Sequence, residues 1–493
     1  MASLPFSFRY MSSLATWKML SGAIETGSFS VAEMAHRRSL TCSASSSRVV
    51  LHPPDLVQWI RREGGFVHPM LRITNQGSDG LGVSSLSKIP AGTDLITLPG
   101  HIPLRFQRSA EPGERDSPLL QLSRKIPEEL WIMRLGLRLL QERAKIGSFW
   151  WPYISNLPET FSVPIFFSRE DIKNLQYAPL VYQVNKRCSF LLDFEKEIKT
   201  LLETLEPKHH PFGGQDPNAS SLGWAMSAVS SRAFRLHGEV LSGGQKTDIH
   251  MLLPLIDMCN HSFQPNAKIV QEQEKGSSKM FVKVVAETHI DQDSPILLNY
   301  GYLSNDLFLL DYGFVIPSNP FDHVELKYDG TLLEAAAMAA GLSSPRFSSP
   351  AQWQQEILCQ LKLLGDGAIT KVNLGGSGVV DGCLLAALRV LIANNEERVQ
   401  NFDLDTLVTL SDEAPLGISI ETAALRIIIA LCVVALEHFS TKIMQDESIL
   451  KGNLSPSMQL AVQFRMQKKL MIIDVMRNLS RRIKRLSKKN SSA

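Results

Sequence analysis

Three short segments hold the residue types from which a binding or reaction site could be built. The densest is Asp257-Met258-Cys259-Asn260-His261-Ser262-Phe263-Gln264-Pro265-Asn266, which follows the apolar run from Met251 to Ile256. Asn260 offers both a donor and an acceptor, and His261 can present ring and backbone groups to an adenine edge. The second is Asn299-Tyr300-Gly301-Tyr302, followed by Asp311-Tyr312-Gly313-Phe314. The third is Asp79-Gly80-Leu81-Gly82. Its glycines would let the backbone pass close to a ligand, and Asp79 could accept hydrogen bonds from an amine. Taken singly, each segment has an ordinary reading. The first is a turn or helix cap with a structural histidine. The second is a pair of tyrosines that pack their rings and bond their hydroxyls locally. The third is a hairpin turn, and its pattern is not the dinucleotide fingerprint.

The elements around these segments alternate between strand-like and helical character. A short amphipathic helix is predicted from Pro54 to Arg62, with Leu56, Val57, Trp59 and Ile60 apolar. The stretch Gly77–Val83 followed by Ile89–Pro99, with Pro90-Ala91-Gly92 as the break between β-prone runs, reads as two strands joined by a turn. From about 117 to 237 the pattern is helical, with Leu130, Met133, Leu137 and Leu140 on one face. Pro152, in Phe149-Trp150-Trp151-Pro152-Tyr153-Ile154, is expected to break that helix. Strand signals return at Phe281–Val285, alternating around Lys283, and at Pro295-Ile296-Leu297-Leu298. Beyond Pro317 the chain reads as helical nearly to its end. Ser349-Pro350-Ala351-Gln352 and Ser455-Pro456 serve as helix starts, the latter with Leu460, Phe464, Met471 and Val475 on one stripe.

Composition bounds what the chain does. At 493 residues, 44% hydrophobic and 20% charged, it has the material for two or three globular domains. A formal net charge of +2 gives no global pull toward nucleic acid or an anionic membrane. The uninterrupted apolar stretch Ile427–Leu436 falls short of the ~20 residues that span a bilayer and reads as a buried helix. Cys42, Cys188, Cys259, Cys359, Cys383 and Cys432 are dispersed, with no zinc-ligand spacing and no disulfide framework, so no metal is expected. The first 48 residues hold twelve serines and five basic residues against Glu25 and Glu33. That composition marks a transit peptide, for the chloroplast or, as the alternative, the mitochondrion. The basic end, from Arg477 to Lys489, reads as the solvated, fraying end of a helix rather than a nucleic-acid contact.

Order and spacing change the weight of the three segments. A Gly-x-Gly-Val near the start, Asn-His-Ser-x-x-Pro-Asn far downstream, and an Asn-Tyr-Gly before an Asp-Tyr-Gly-Phe together resemble the SET-domain methyltransferases. The helical insertion and helical C-terminus are similar to the Rubisco large-subunit methyltransferase branch, which includes actin-histidine methyltransferases. Trp151-Pro152-Tyr153-Ile154 with Leu157-Pro158, Ser231-Arg232-Ala233-Phe234, and Leu388-Arg389-Val390-Leu391 with Glu396-Glu397 add to the likeness.

The resemblance implies an α+β protein: a β-rich SET core at 49–318, interrupted by a helical insertion, then an all-helical substrate-binding domain at 319–493. It implies a pocket for S-adenosylmethionine (SAM) formed by Asp79, Gly80, Leu81, Arg232, Asn260 and His261. Arg232, Asp257, Tyr300 and Tyr312 would bind the target side chain, with Tyr300 as the catalytic tyrosine. The protein substrate would be held by the C-terminal domain, with Rubisco large subunit or an aldolase-like stromal enzyme as the family-suggested target. Lysine is the expected target residue; a histidine methyltransferase and a non-catalytic adaptor on the same scaffold stay open. Two departures from the family stand out: Asp293-Ser294-Pro295 replaces a common Gly-acid pair, which alters a turn, and Asp79 stands where Glu is frequent.

Overall fold

The computed structural model describes residues 48–76, 80–106, 117–240, 246–273, 280–343, 347–411 and 413–491. The serine-rich start and Asp79 lie outside these. Helix α1 (Leu56–Arg62) forms because Asp55 caps it, its carboxylate accepting from the Val57 and Gln58 amides, while Leu56, Trp59 and Ile60 turn inward. Strands β1 (Phe66–Val67), β4 (Asp94–Pro99), β9 (Ala267–Gln273) and β10 (Met280–Ala286) make an antiparallel sheet in the order β1-β4-β10-β9. Val282 and Val284 lie opposite Leu98 and Ile96, all four buried, whereas Lys283 faces outward and pairs with Asp94 at 3.2 Å. This is the alternation expected around Lys283.

The two strands predicted near Pro90-Ala91-Gly92 form but do not pair with each other. Strand β3 (Leu81–Ser85) pairs with β2 (Leu71–Asn75), and β4 joins the other sheet. A third sheet runs β5 (Leu104–Arg105), β7 (Lys246–Leu252), β6 (Ala233–Val240). The helical insertion contains α2 (Ile132–Ala144), α3 (Ala178–Leu202) and α4 (Ala219–Arg232), with Met133, Leu137 and Leu140 buried as the periodicity predicts. It ends at Arg232 rather than 237, because β6 starts at Ala233. Pro152 does not terminate α2, which stops at Ala144. Instead it sits in the first turn of a short helix, Trp151–Ile154, where its missing N–H costs nothing.

The C-terminal region is built on α7 (Ile418–Glu437), against which α5 (Gly330–Ala339), α6 (Gly382–Ile392) and α8 (Pro456–Ser491) pack. Helix α7 has the length and apolarity of a membrane span, and its Leu425, Ile428, Leu431 and Cys432 are buried in this core. The region is not helical throughout. Strands β12 (His323–Lys327) and β13 (Lys371–Gly375) form an antiparallel ribbon with Val324, Leu326, Val372 and Leu374 buried. The helix expected at Ser349-Pro350 starts two residues late, at Gln352, because the Gln354 side chain rather than that of Gln352 reaches back, to the Ala351 amide. Helix α8 begins where predicted, Ser455 Oγ accepting from the Met458 amide. Its basic end stays helical to Ser491, with Leu479 and Leu486 buried on one side and Arg477, Arg481, Lys484, Arg485 and Lys488 exposed to solvent as expected.

Buried ion pairs stitch this region internally and to the core. Arg389 on α6 makes a two-pronged pair with Glu421 on α7 at 2.7 and 2.9 Å and donates to the Leu407 and Thr409 carbonyls. Lys468 on α8 is fully buried, paired with Asp306 and, at 2.7 Å, with Asp322, and donates to the His323 carbonyl. Asp322 in turn accepts from the amide of Asn305, just past Tyr302.

Candidate active site

One extended segment draws the three chemistry-bearing segments together. Residues 294–298 run beside β3, where Ser85 N–H donates to Ser294 O and Ile296 N–H donates to Val83 O. On the other side, β11 (Leu297–Leu298) pairs in parallel with β8 (Asn260–His261). The second asparagine of the Asn-His-Ser segment, Asn266, fixes this arrangement: its amide donates to Pro295 O at 2.9 Å and accepts from the Leu297 N–H at 2.8 Å. The strand after Gly80, the Asn260–His261 pair and the entry to Tyr300 are thereby held side by side. Asp293, in the unusual turn before this segment, takes φ +60°, the conformation a glycine would supply.

Tyr300 lies at the junction. Its amide donates to His261 Nδ1 at 3.1 Å, and its hydroxyl donates to the Cys259 carbonyl at 2.7 Å. Its ring stacks on Tyr312 at 5.1 Å. Tyr312 is delivered by a wide helical turn, Phe308–Tyr312, that closes at Gly313 with φ +80°. Glycine is required there twice over, since a Cβ would also lie 2.8 Å from the Ser162 carbonyl. Burial pushes the Tyr300 and Tyr312 phenols well above the usual tyrosine range. Burial lowers the pKa of His261, keeping its ring neutral.

Behind Tyr300 is a buried polar knot. Asp257, on the short turn Ile256–Met258, accepts from the Tyr153 hydroxyl at 2.6 Å, and its carboxylate lies 3.5 Å from Arg232 Nη1. Arg232 also donates to the Asp257 carbonyl at 3.0 Å. Burial raises the Asp257 carboxyl, while Arg232 and Tyr153 pull it back down. Residue Leu255, which opens the turn, has φ +71°, a strained conformation for a non-glycine residue.

A cavity of about 450 Å³ is lined by Arg232, Asp257, Asn299, Tyr300 and Tyr312 among others. The structure thus gathers all four predicted target-side residues around one space. Gly80, Leu81, Asn260 and His261 are not on its wall and form a second group joined to it through the His261–Tyr300 bond. Sequence reasoning missed Gln76 and Tyr153 as site residues. The Gln76 side chain accepts from Asn260 Nδ2 at 2.6 Å and packs so closely over Gly82 that a Cβ there would lie 2.4 Å from it. Nothing in the sequence marks Gln76, whereas Tyr153 lies in the quoted Trp-Pro-Tyr-Ile stretch. Further out, Arg187 and Asp311 form a 2.7 Å pair on the cavity wall.

The free polar atoms suit a ligand carrying both an anionic and a cationic group. Arg232 Nε and Asp257 Oδ1 are buried with no hydrogen-bond partner among the described residues, leaving one cationic and one anionic group for a ligand. Gly80, at φ +74°, leaves open space for close backbone approach, whereas the space over Gly82 is filled by the Gln76 side chain.

Comparison with known proteins agrees with this arrangement. Residues 80–301 match the SET domain model and residues 345–472 the Rubisco LSMT substrate-binding model. The chain is 25% identical over 427 residues to the actin-histidine N-methyltransferase of Callithrix jacchus, and 24% identical to that of Homo sapiens. These alignments cover 84% of the chain and 66% of either relative, just under two thirds of their length. Among solved structures, the SET domain of LSMT bound to lysine and AdoHcy superposes with a TM-score of 0.60 at 18% identity, covering 88% of this chain and 92% of that one. Rubisco LSMT bound to AdoMet gives 0.57 at 17%, covering 88% and 93%. The fold is therefore the LSMT fold, with a segment that matches the SET domain followed by one that matches the Rubisco LSMT substrate-binding domain.

Proposed function

We propose that this protein transfers a methyl group from SAM to a side-chain nitrogen of another protein, and that the target residue is a lysine. The observation that carries the reading is the convergence of Arg232, Asp257, Tyr300 and Tyr312 on one cavity, with Asn260 and His261 hydrogen-bonded or paired directly behind it. Gly80, Leu81, Arg232, Asn260 and His261 would hold SAM, which supplies an activated methyl on a sulfonium. The residues of this chain then have mainly to align an amine with that methyl and exclude water. A free lysine, with a pKa of about 10.4, is protonated at neutral pH and carries no lone pair for attack. A buried channel beside a cation disfavours the ammonium form and helps it release its proton. The stacked rings of Tyr300 and Tyr312 offer an apolar, aromatic wall for an aliphatic stem.

A histidine target is the second reading, favoured by the relatives' activity on actin histidine. An imidazole needs a side chain to orient one ring nitrogen. The Ser230, Ser231 and Tyr300 hydroxyls on the cavity wall are instead given to the Asp311, Ser227 and Cys259 carbonyls. Residues 49–493 are to be incubated with isotope-labelled SAM and a hypomethylated organelle extract, beside Tyr300→Phe. Labelling that falls on the order of 100-fold in the variant, with SAM binding retained, is the expected result. Peptide mapping of the labelled band reads lysine or histidine directly. Equal labelling by Tyr300→Phe would sink the assignment of that residue, and no labelling of extract known to be hypomethylated would favour a non-catalytic adaptor.

The substrate is proposed to be an organelle protein such as Rubisco large subunit or an aldolase-like enzyme, docked on the C-terminal domain. The proposed address is the chloroplast stroma. Residues 1–48 fused to a fluorescent protein should carry it into plastids; retention in the cytosol would refute the address.

A further inference from the structure

Tyr153 lies in a sequence stretch that the reading above leaves without a role, yet it is fully buried and its hydroxyl makes one short bond, to Asp257. It comes from the helical insertion, as does Arg232, whereas Asp257 belongs to the SET core. The two insertion residues grip the Leu255–Cys259 turn from outside: Tyr153 holds the Asp257 carboxylate, and Arg232 holds both that carboxylate and the Asp257 backbone carbonyl. The turn is one that would not hold its shape unaided, because Leu255 sits at φ +71°. It ends at Cys259, whose carbonyl is the acceptor for the Tyr300 hydroxyl. Tyr300 is thus aimed by a carbonyl whose position depends on a strained turn, and the turn depends on the Tyr153 and Arg232 contacts.

Resting on the methyl-transfer reading above, we propose that Tyr153 is a positioning residue: through Asp257 it holds the turn that orients the Tyr300 hydroxyl. It touches neither cofactor nor substrate. The ionisable groups facing the Asp257 carboxylate are Arg232 from α4, Tyr153 from the Trp151–Ile154 helix, Cys259 from its own turn and Tyr300 from the segment after β11. Of these, Arg232 and Tyr153 favour the ionised form. Removing the Tyr153 hydroxyl raises the Asp257 pKa further, so the pH below which activity fails moves upward.

The test uses residues 49–493 as wild type and as Tyr153→Phe, which keeps the ring and removes one oxygen. Calorimetry with SAM should show affinity within about twofold of wild type, because Tyr153 is not among the cofactor-side residues. Labelling of the extract protein should show kcat down by about tenfold to 100-fold with KM unchanged, and the acid limb of the rate profile shifted to higher pH. A wild-type rate with an unmoved acid limb overturns the proposal. So does a loss of rate matched by equal losses in SAM affinity and melting temperature, the pattern of a merely structural tyrosine. If wild type itself methylates nothing, the methyl-transfer reading fails, and the positioning claim is read separately by fluorine NMR of 3-fluorotyrosine at position 300. A shifted Tyr300 resonance in Tyr153→Phe supports it; an unshifted one overturns it.

Discussion

Tyr300 keeps its proton. Burial is the main cause of its raised pKa, with Arg232 opposing and neighbouring Tyr312 and Asp257 adding to it. Under the proposed lysine chemistry the hydroxyl is therefore a neutral, oriented oxygen and not the base that takes the target's proton. The methylation rate is expected to climb as the target amine loses its proton, with no falling limb near the ordinary tyrosine pKa of about 10. A fall there that persists when the target protein is replaced by one stable at that pH would identify Tyr300 ionisation instead. Gly313 makes a second residue-scale prediction. Alanine at φ +80° costs about 1–2 kcal/mol from the left-handed backbone alone, with crowding against Ser162 added. A lowered urea midpoint, with activity falling more than stability because Tyr312 precedes the glycine, is the expected outcome. At this scale the sequence was informative where chemistry is written in unusual neighbours, as at Asn260-His261. It was silent at Gln76, whose site contact exists only because a hairpin brings it over Gly82.

At the scale of elements, the segment 294–298 has two different neighbours, and Asn266 is what secures it to one of them. Replacing Asn266 by alanine leaves the Leu297 N–H without its acceptor and Pro295 O without its donor. A loss of about 1 kcal/mol follows from two part-buried hydrogen bonds removed, measurable as a drop in denaturation midpoint accompanied by weaker SAM binding. An unchanged SAM affinity would show that β8 keeps its place without that clamp. The strands of the SET core were legible wherever apolar residues alternate, as in Met280–Ala286, although their partners were not. Pairing joins β3 to β2, its neighbour in sequence, and to residue 296 across most of the domain, and no local pattern records the second contact. The β12–β13 ribbon went unread although Val324 and Leu326, and Val372 and Leu374, alternate inward, because each strand has only five residues and is set among strongly helical neighbours.

Across the whole molecule, the C-terminal domain is fastened to the core by a lysine that has left water altogether. Burial works against the Lys468 charge, and Asp306 and Asp322 overcome it, holding its pKa above the usual lysine value. The stability it brings is fully present below the unfolded lysine pKa of about 10.4 and is lost as pH rises through the higher folded value. Lys468→Met removes one partner and leaves two carboxylates beside apolar surface, a loss of about 3–5 kcal/mol. Because Asp322 also receives the Asn305 amide, the damage should reach the turn bearing Tyr312. Calorimetry is expected to split one melting transition into two as the domains uncouple; a single transition merely lowered would mean the apolar contacts between them suffice. The two-domain order was readable from composition and capping, but this fastening was not, since a lysine in mid-helix looks like a solvent-facing one until its carboxylates are brought from far along the chain.

The placement of residues 294–298 between β3 and β8 also has a temporal meaning. During vectorial synthesis the Gly80 segment emerges long before the other two, and residues 294–298, which follow β8 closely, must insert between it and a β3 made far earlier. Such non-local closure is entropically slow. Until it happens, Gly80 and Asn260 have no common frame, so a nascent chain of this protein is blind to its ligand for most of its elongation. Maturation and binding competence should arrive together, in one late step, rather than by gradual improvement of a half-built pocket.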